Sequence, residues 1–149
     1  MPAKTVLFIC VENACRSLMA ESMFNADPPP GWTAISAGTS PSGSPNPRTG
    51  PMLAEIGLRP PDHPPQPLTK EMMDRAPVRV TMGCLEDASC PAHLKGLELR
   101  DWALPDPAHL DDAGFRELRD RLASYVRGLR TELALSDRRL ASLRRSAAR

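Results

Sequence analysis

Apolar positions fall into two rhythms along this chain. Val6-Leu7-Phe8-Ile9 is an unbroken apolar run that reads as a short buried strand, and Ser17 to Phe24 behind it reads as the first turns of a helix. Asp27-Pro28-Pro29-Pro30-Gly31 ends that helix, since proline cannot continue the hydrogen-bond ladder and glycine suits a turn. Trp32 to Ser36 predicts a second strand, and a small-residue loop from Ala37 to Pro45 leads to a helix starting at Asn46-Pro47 and closed by Gly57. Five prolines between Arg59 and Pro67 predict an ordered surface loop. Leu68-Thr69 then caps a short helix through Met72-Met73, Val78 to Met82 is a third strand, and Leu97-Glu98-Leu99 a weaker fourth.

The second rhythm belongs to the C-terminal third. Phe115, Leu118, Leu122, Tyr125, Val126, Leu129 and Leu133 recur every three or four residues, which predicts a long amphipathic helix packed on the sheet. Leu140 keeps the phase, so the helix is expected to run into a tail carrying Arg138, Arg139, Arg144, Arg145 and Arg149, read as a solvated, fraying terminus over about 136–149. Strands separated by helices with short connections imply an α/β fold with a parallel sheet and right-handed crossovers.

At 149 residues the chain is expected to form a single catalytic domain. With 19 basic and 18 acidic residues, the net charge of +1 argues against a general partner among nucleic acids or membrane surfaces. No apolar run of spanning length and no signal-peptide pattern occurs, so the reading is cytoplasmic, where the four cysteines would be reactive thiols or metal ligands rather than structural disulfides.

The chemistry concentrates in Cys10-Val11-Glu12-Asn13-Ala14-Cys15-Arg16-Ser17, between the first strand and the first helix. Unpaired backbone N–H groups and the helix dipole make such a loop an oxyanion site. A cysteine opening it lies near that positive end and near the Arg16 guanidinium, a planar two-pronged donor for a tetrahedral anion, and both favour the thiolate that attacks. Asn13 can hold the loop N–H groups inward and Ser17 Oγ can donate to the Cys10 sulfur, whereas Cys15 reads as a small packing residue. Asp106-Pro107, in the stiff loop from Trp102, offers an acid to protonate a departing oxygen. Cys84 and Cys90 follow the third strand. They could bind zinc with His93 or be inert buried thiols, but thiol exchange with Cys10 fits better. His63, His93 and His109 have no partner at a recognisable spacing and receive no role.

Taken together, Cys10-(five residues)-Arg16-Ser17, Met19-Ala20-Glu21, Ser36-Ala37-Gly38, Val80 to Cys84, Cys90-Pro91 and Asp101-Trp102 through Asp106-Pro107 resemble the thioredoxin-coupled arsenate reductases built on the low-molecular-weight tyrosine phosphatase fold, over Thr5 to about Leu133. The resemblance implies a three-layer sandwich with a four-stranded parallel sheet flanked by helices. It implies arsenate as substrate, with phosphate or sulfate as competing anions. Cys10 would attack arsenate held by the loop amides of Val11 to Cys15, Arg16 and Ser17, and Asp106 would protonate the leaving oxygen. Cys84 would attack the Cys10 sulfur, releasing arsenite, and Cys90 would attack Cys84 to leave a disulfide for thioredoxin or another thiol system, in the service of arsenic detoxification. Some members hold a potassium ion beside the loop, and Asn13, Glu21 and Ser36 match positions involved. Two rivals remain: a low-molecular-weight tyrosine phosphatase, which needs Cys10, Arg16 and Asp106 alone, and a non-catalytic cysteine sensor of arsenite or metal.

Overall fold

The computed structural model describes residues 3–82 and 99–147. Cys84, Cys90 and His93, and with them the proposed thiol relay and the zinc alternative, lie outside the described residues. Strand β1 (Lys4–Cys10) leads into helix α1 (Arg16–Ala26), then β2 (Trp32–Gly38), α2 (Thr49–Ala54), α3 (Lys70–Arg75), β3 (Val78–Thr81), β4 (Arg100–Asp101), a 3-10 turn (Pro107–His109) and α4 (Asp112–Ala147). The four strands form one parallel sheet in the order β2-β1-β3-β4.

The apolar run of β1 is unbroken because that strand is central and covered on both faces. Its alternate residues serve two separate cores. Val6 and Phe8 face α1 and α4, in a cluster with Met19, Phe24, Phe115, Leu118, Leu122 and Val126, while Leu7 and Ile9 face Ala37 and the α3 side with Met73 and Ala76. The layering is therefore helix, sheet, helix. Helix α4 brings Phe115, Leu118, Leu122, Val126, Leu129 and Leu133 to the larger core, and each fully buried apolar side chain on it contributes about 1.5–3 kcal/mol.

Several boundaries differ from the sequence reading. Helix α2 starts at Thr49 rather than at Asn46, because the Asn46 side chain accepts from the Arg48 N–H and folds Asn46-Pro47-Arg48 into a turn before the helix. The fourth strand lies at Arg100–Asp101, just after Leu99, while Leu97 and Glu98 are outside the described residues. Thr69 caps α3 as expected, its Oγ1 accepting from the Met72 N–H at 3.1 Å. Helix α4 continues through the arginine-rich stretch to Ala147, and Asp137 fastens its distal half to the sheet by accepting from Lys4 Nζ (2.9 Å) and Trp32 Nε1 (2.8 Å). Among the described residues no helix is long and apolar enough to cross a membrane.

The strand order sets where ligands can bind. After β1 the chain moves to one side to make β2, then crosses to the other side for β3, so the crevice at the carboxyl ends of β1 and β3 is the topological switch point. The Cys10 loop emerges there.

Candidate active site

Between Cys10 and Arg16 the loop presents its carbonyl groups outward to a second segment that wraps it. Cys10 O accepts from Thr39 N (3.1 Å), Val11 O from Ser40 N (2.8 Å), Glu12 O from Ser42 N (3.0 Å), and Ala14 O from both Asn46 N (2.9 Å) and Thr49 Oγ1 (2.9 Å). In a planar trans peptide the N–H points opposite to the C=O, so the amides of Val11, Glu12, Asn13 and Cys15 are turned to the inside of the loop. No side chain caps the N-terminus of α1, which leaves its first-turn amides facing the same space.

Two backbone features permit this tight loop. Asn13 adopts a left-handed conformation (φ 51°), which asparagine tolerates better than most residues. Gly38 passes so close that a Cβ there would lie 2.6 Å from Val11 O and 2.9 Å from Asn13 N.

Cys10 is buried, with donors arrayed on its sulfur. The Asn13 backbone N–H donates to Cys10 Sγ at 3.2 Å, and Ser17 Oγ lies 2.9 Å from it. The direction of that second bond follows from its neighbours. Asn13 Oδ1 accepts from the Gln66 backbone N–H (2.9 Å), which turns Asn13 Nδ2 toward Ser17 Oγ (2.7 Å). Since Nδ2 donates to the hydroxyl oxygen, the hydroxyl proton is left for the sulfur. Cys15, by contrast, is buried among apolar side chains, and burial pushes its thiol up to about 12. The sequence reading expected it to pack as a small apolar residue, and it sits at the edge of the larger core cluster, lining the cleft beside Cys10.

Arg16 Nη1 donates to the carbonyls of Met82 (2.7 Å) and Leu104 (3.0 Å), tying the loop to the end of β3 and to the segment that carries Asp106. Cys10, Arg16 and Asp106 line one cleft of about 510 Å³, with exposed Glu12 on it as well. The exposed Asp106 carboxylate accepts from the Ala108 N–H (2.9 Å), so it also caps the 3-10 turn that positions it. A thiol with two donors, inward-facing amides, a buried guanidinium and a carboxylate in one cleft can seat a tetrahedral anion and present a sulfur to it.

Sequence reasoning missed the outer support. Arg48 donates to Leu110 O (2.7 Å) and Pro107 O (2.8 Å) and stacks over Phe115, bracing the Asp106 turn. His63, given no role, has its Nε2 at 2.9 and 3.0 Å from the two carboxylate oxygens of buried Glu21. Placement of a histidine in a stiff proline-rich stretch is the one local signal that could have found it. The donor set expected for potassium does not fit such an ion. Glu21 already accepts from Ser36 Oγ and pairs with His63, Asn13 Oδ1 accepts from Gln66 N, and the Ser36 carbonyl accepts from Gln66 Nε2 (2.8 Å), so N–H and O–H donors stand where a cation would need free oxygens.

A cysteine on an anion loop at the switch point of a small parallel sheet defines a class of cysteine-dependent oxyanion enzymes. Residues 5–139 match the model for low molecular weight phosphotyrosine protein phosphatase, and the chain belongs to that family. Among curated relatives, arsenate reductase 1 of Staphylococcus epidermidis is 30% identical over 126 residues, covering 85% of this chain and 95% of that one. A solved thioredoxin-dependent arsenate reductase of Corynebacterium glutamicum superposes with a TM-score of 0.73 at 30% identity, over 91% of this chain and 64% of that chain. An arsenate reductase solved in its phosphate-binding state gives a TM-score of 0.74 at 27% identity, over 87% and 98%.

Proposed function

We propose that this protein reduces arsenate to arsenite through a cysteine relay. The observation that carries the reading is the pair of hydrogen bonds on Cys10 Sγ, from Asn13 N–H and Ser17 Oγ, in the cleft that also holds Arg16 and Asp106. The relatives that bear the name arsenate reductase, including one named thioredoxin-dependent, support the choice of substrate and reductant.

In this reading the amides of Val11 to Ser17 and the Arg16 guanidinium hold the arsenate oxygens, with phosphate or sulfate as competitors. The Cys10 thiolate forms an S–As bond while one As–O bond breaks, and Asp106 gives its proton to the departing oxygen so that water leaves. The Cys84 thiolate next attacks the Cys10 sulfur. An S–S bond forms, the S–As electron pair stays on arsenic, As(V) becomes As(III), and arsenite departs. The Cys90 thiolate then attacks Cys84, freeing Cys10 and leaving a Cys84–Cys90 disulfide that thioredoxin reduces with two electrons. The chain leaves β3 at Met82, whose carbonyl accepts from Arg16, two positions before Cys84 in the sequence.

The test is arsenate-dependent oxidation of NADPH through thioredoxin and its reductase, for the wild type and for Cys10→Ser, Cys84→Ser and Cys90→Ser. Steady turnover in the wild type and none in the variants is expected. Efficient hydrolysis of an aryl phosphate without arsenate turnover would make the protein a phosphatase instead.

A further inference from the structure

The cleft over Cys10 carries a charge that works against an anion. Position 12 belongs to the anion loop itself, between buried Cys10 and buried Asn13, yet it holds an exposed glutamate that lines the cleft together with Arg16 and Asp106. The backbone beneath it is fixed. The carbonyls of Val11 and Glu12 accept from Ser40 N (2.8 Å) and Ser42 N (3.0 Å), so the loop cannot carry this residue away from the mouth without breaking those bonds. Among the described residues Arg16 is the only cation lining the cleft, and its Nη1 already spans the Met82 and Leu104 carbonyls. One guanidinium and the loop amides can offset a tetrahedral anion, but they leave nothing to balance a further negative charge. Asp106 faces the same space. Its carboxylate accepts from the Ala108 N–H, and in the arsenate reading it carries the proton for the leaving oxygen, so the standing negative charge at the mouth is that of Glu12.

The opposite wall offers no hold for an organic group. It runs from Ala103 to Ala108 and presents alanine, leucine, proline and Asp106. The aromatic residue just before it, Trp102, is buried, stacked on Tyr125 (5.1 Å between ring centroids) and packed against Phe8 (5.7 Å), and does not line the cleft. Arg48, which could neutralise the mouth, is instead committed to the Pro107 and Leu110 carbonyls and to the Phe115 ring.

We infer that Glu12 is a specificity-determining residue of this cleft. It sets the charge of whatever accompanies the tetrahedral anion: the free inorganic oxyanion and neutral or cationic substituents enter, and phosphate esters bearing a further negative charge, such as those on acidic peptides, are turned back. Glu12 acts on binding alone. The inference rests on the reading of the Cys10 loop as an oxyanion site and needs no arsenate turnover.

The test is protection of Cys10 from iodoacetamide at neutral pH, followed by peptide mass, with inorganic phosphate and with three benzylphosphonates that carry a carboxylate, a hydrogen or an aminomethyl group at the ring position opposite the phosphonate. In the wild type the aminomethyl compound is expected to protect at roughly 5- to 30-fold lower concentration than the carboxylate compound, the span for two unit charges interacting across a wet cleft. High salt is expected to shrink that ratio, because the carboxylate faces water. Glu12→Gln is expected to lower the ratio about threefold or more, and Glu12→Lys to bring it to unity or invert it. An effect of the side chain on loop shape alone would change all three compounds together and leave the ratio in place. A wild type protected equally by the three compounds, or a Glu12→Lys protein that keeps the wild-type ratio, would overturn the inference. Failure of inorganic phosphate to protect Cys10 in the wild type would overturn the oxyanion-site reading and the inference with it. The expected charge series without arsenate turnover would overturn the arsenate reductase reading and leave the role of Glu12 standing.

Discussion

Cys10 Sγ lies 2.9 Å from Ser17 Oγ, and the direction of the bond between them is set by Gln66, fifty-three residues from the asparagine it orients. A hydrogen bond to a charged sulfur contributes about 1.5–3 kcal/mol, which corresponds to roughly 10- to 100-fold in rate where it helps to hold the attacking thiolate in place. Ser17→Ala is therefore expected to lower the single-turnover rate with arsenate by that factor while leaving phosphate affinity within about twofold. Rapid-quench measurement with one equivalent of arsenate checks this.

Gly38 and Asn13 make a second dependence between distant parts of the chain. A methyl group at position 38 would meet Val11 O and Asn13 N inside van der Waals distance, and both atoms are backbone, so the loop itself would have to move. Overpacking of this kind costs about 1–3 kcal/mol. Gly38→Ala is expected to lower the urea midpoint accordingly and to weaken phosphate binding at least tenfold in calorimetry, whereas Gly43→Ala, where a Cβ meets nothing within 4 Å, is expected to leave both unchanged.

Asp106 occupies the cleft with its carboxylate engaged by its own turn, and Asn can accept the same N–H from Ala108. Asp106→Asn thus keeps the cap and removes the proton. The expected result is a loss of roughly 10²- to 10⁴-fold in the first chemical step with little change in phosphate affinity. An equal loss of affinity would mean that Asp106 acts in folding the rim instead.

The His63–Glu21 pair makes stability depend on pH in a definite direction. The folded-state pKa of His63 lies above the unfolded value of about 6.5, so the folded protein holds this proton more tightly. Its contribution is complete below the unfolded pKa and is lost as pH rises through the folded one. Urea unfolding of the wild type and His63→Gln between pH 5 and 9 should give a stability difference that is largest at the acid end and shrinks as the pH rises.

Much of this fold was legible because local pattern and tertiary role coincide. Val6 to Ile9 is an unbroken apolar run because β1 is the central strand, and the Phe115 to Leu133 periodicity is the buried stripe of α4 except at Tyr125, which is exposed and stacks on Trp102 from outside. The anion loop was legible for the same reason: Cys10, Arg16 and Ser17 are close in sequence and meet within one turn of chain. A fourth strand was legible at Leu97-Glu98-Leu99 but not its place, because the residues that pair with Val80 and Thr81 are Arg100 and Asp101, two charged side chains with no apolar alternation. Ser40, Ser42 and Asn46 act through backbone N–H groups, which the identity of a side chain does not reveal. His63 and Gln66 were not legible because their partners, Glu21 and Asn13, are more than forty residues away and the prolines between them hide any periodic signal.

The central claim concerns which sulfurs pair during turnover, and Cys84 and Cys90 are the two on which it turns. Reduced protein given one equivalent of arsenate without thioredoxin, quenched by alkylation and digested, can be mapped for disulfides by mass spectrometry. The expected product is a Cys84–Cys90 disulfide with Cys10 and Cys15 alkylated and one equivalent of arsenite released; in Cys90→Ser it becomes a Cys10–Cys84 disulfide. All four cysteines recovered as free thiols, with the arsenate unchanged, would contradict the account.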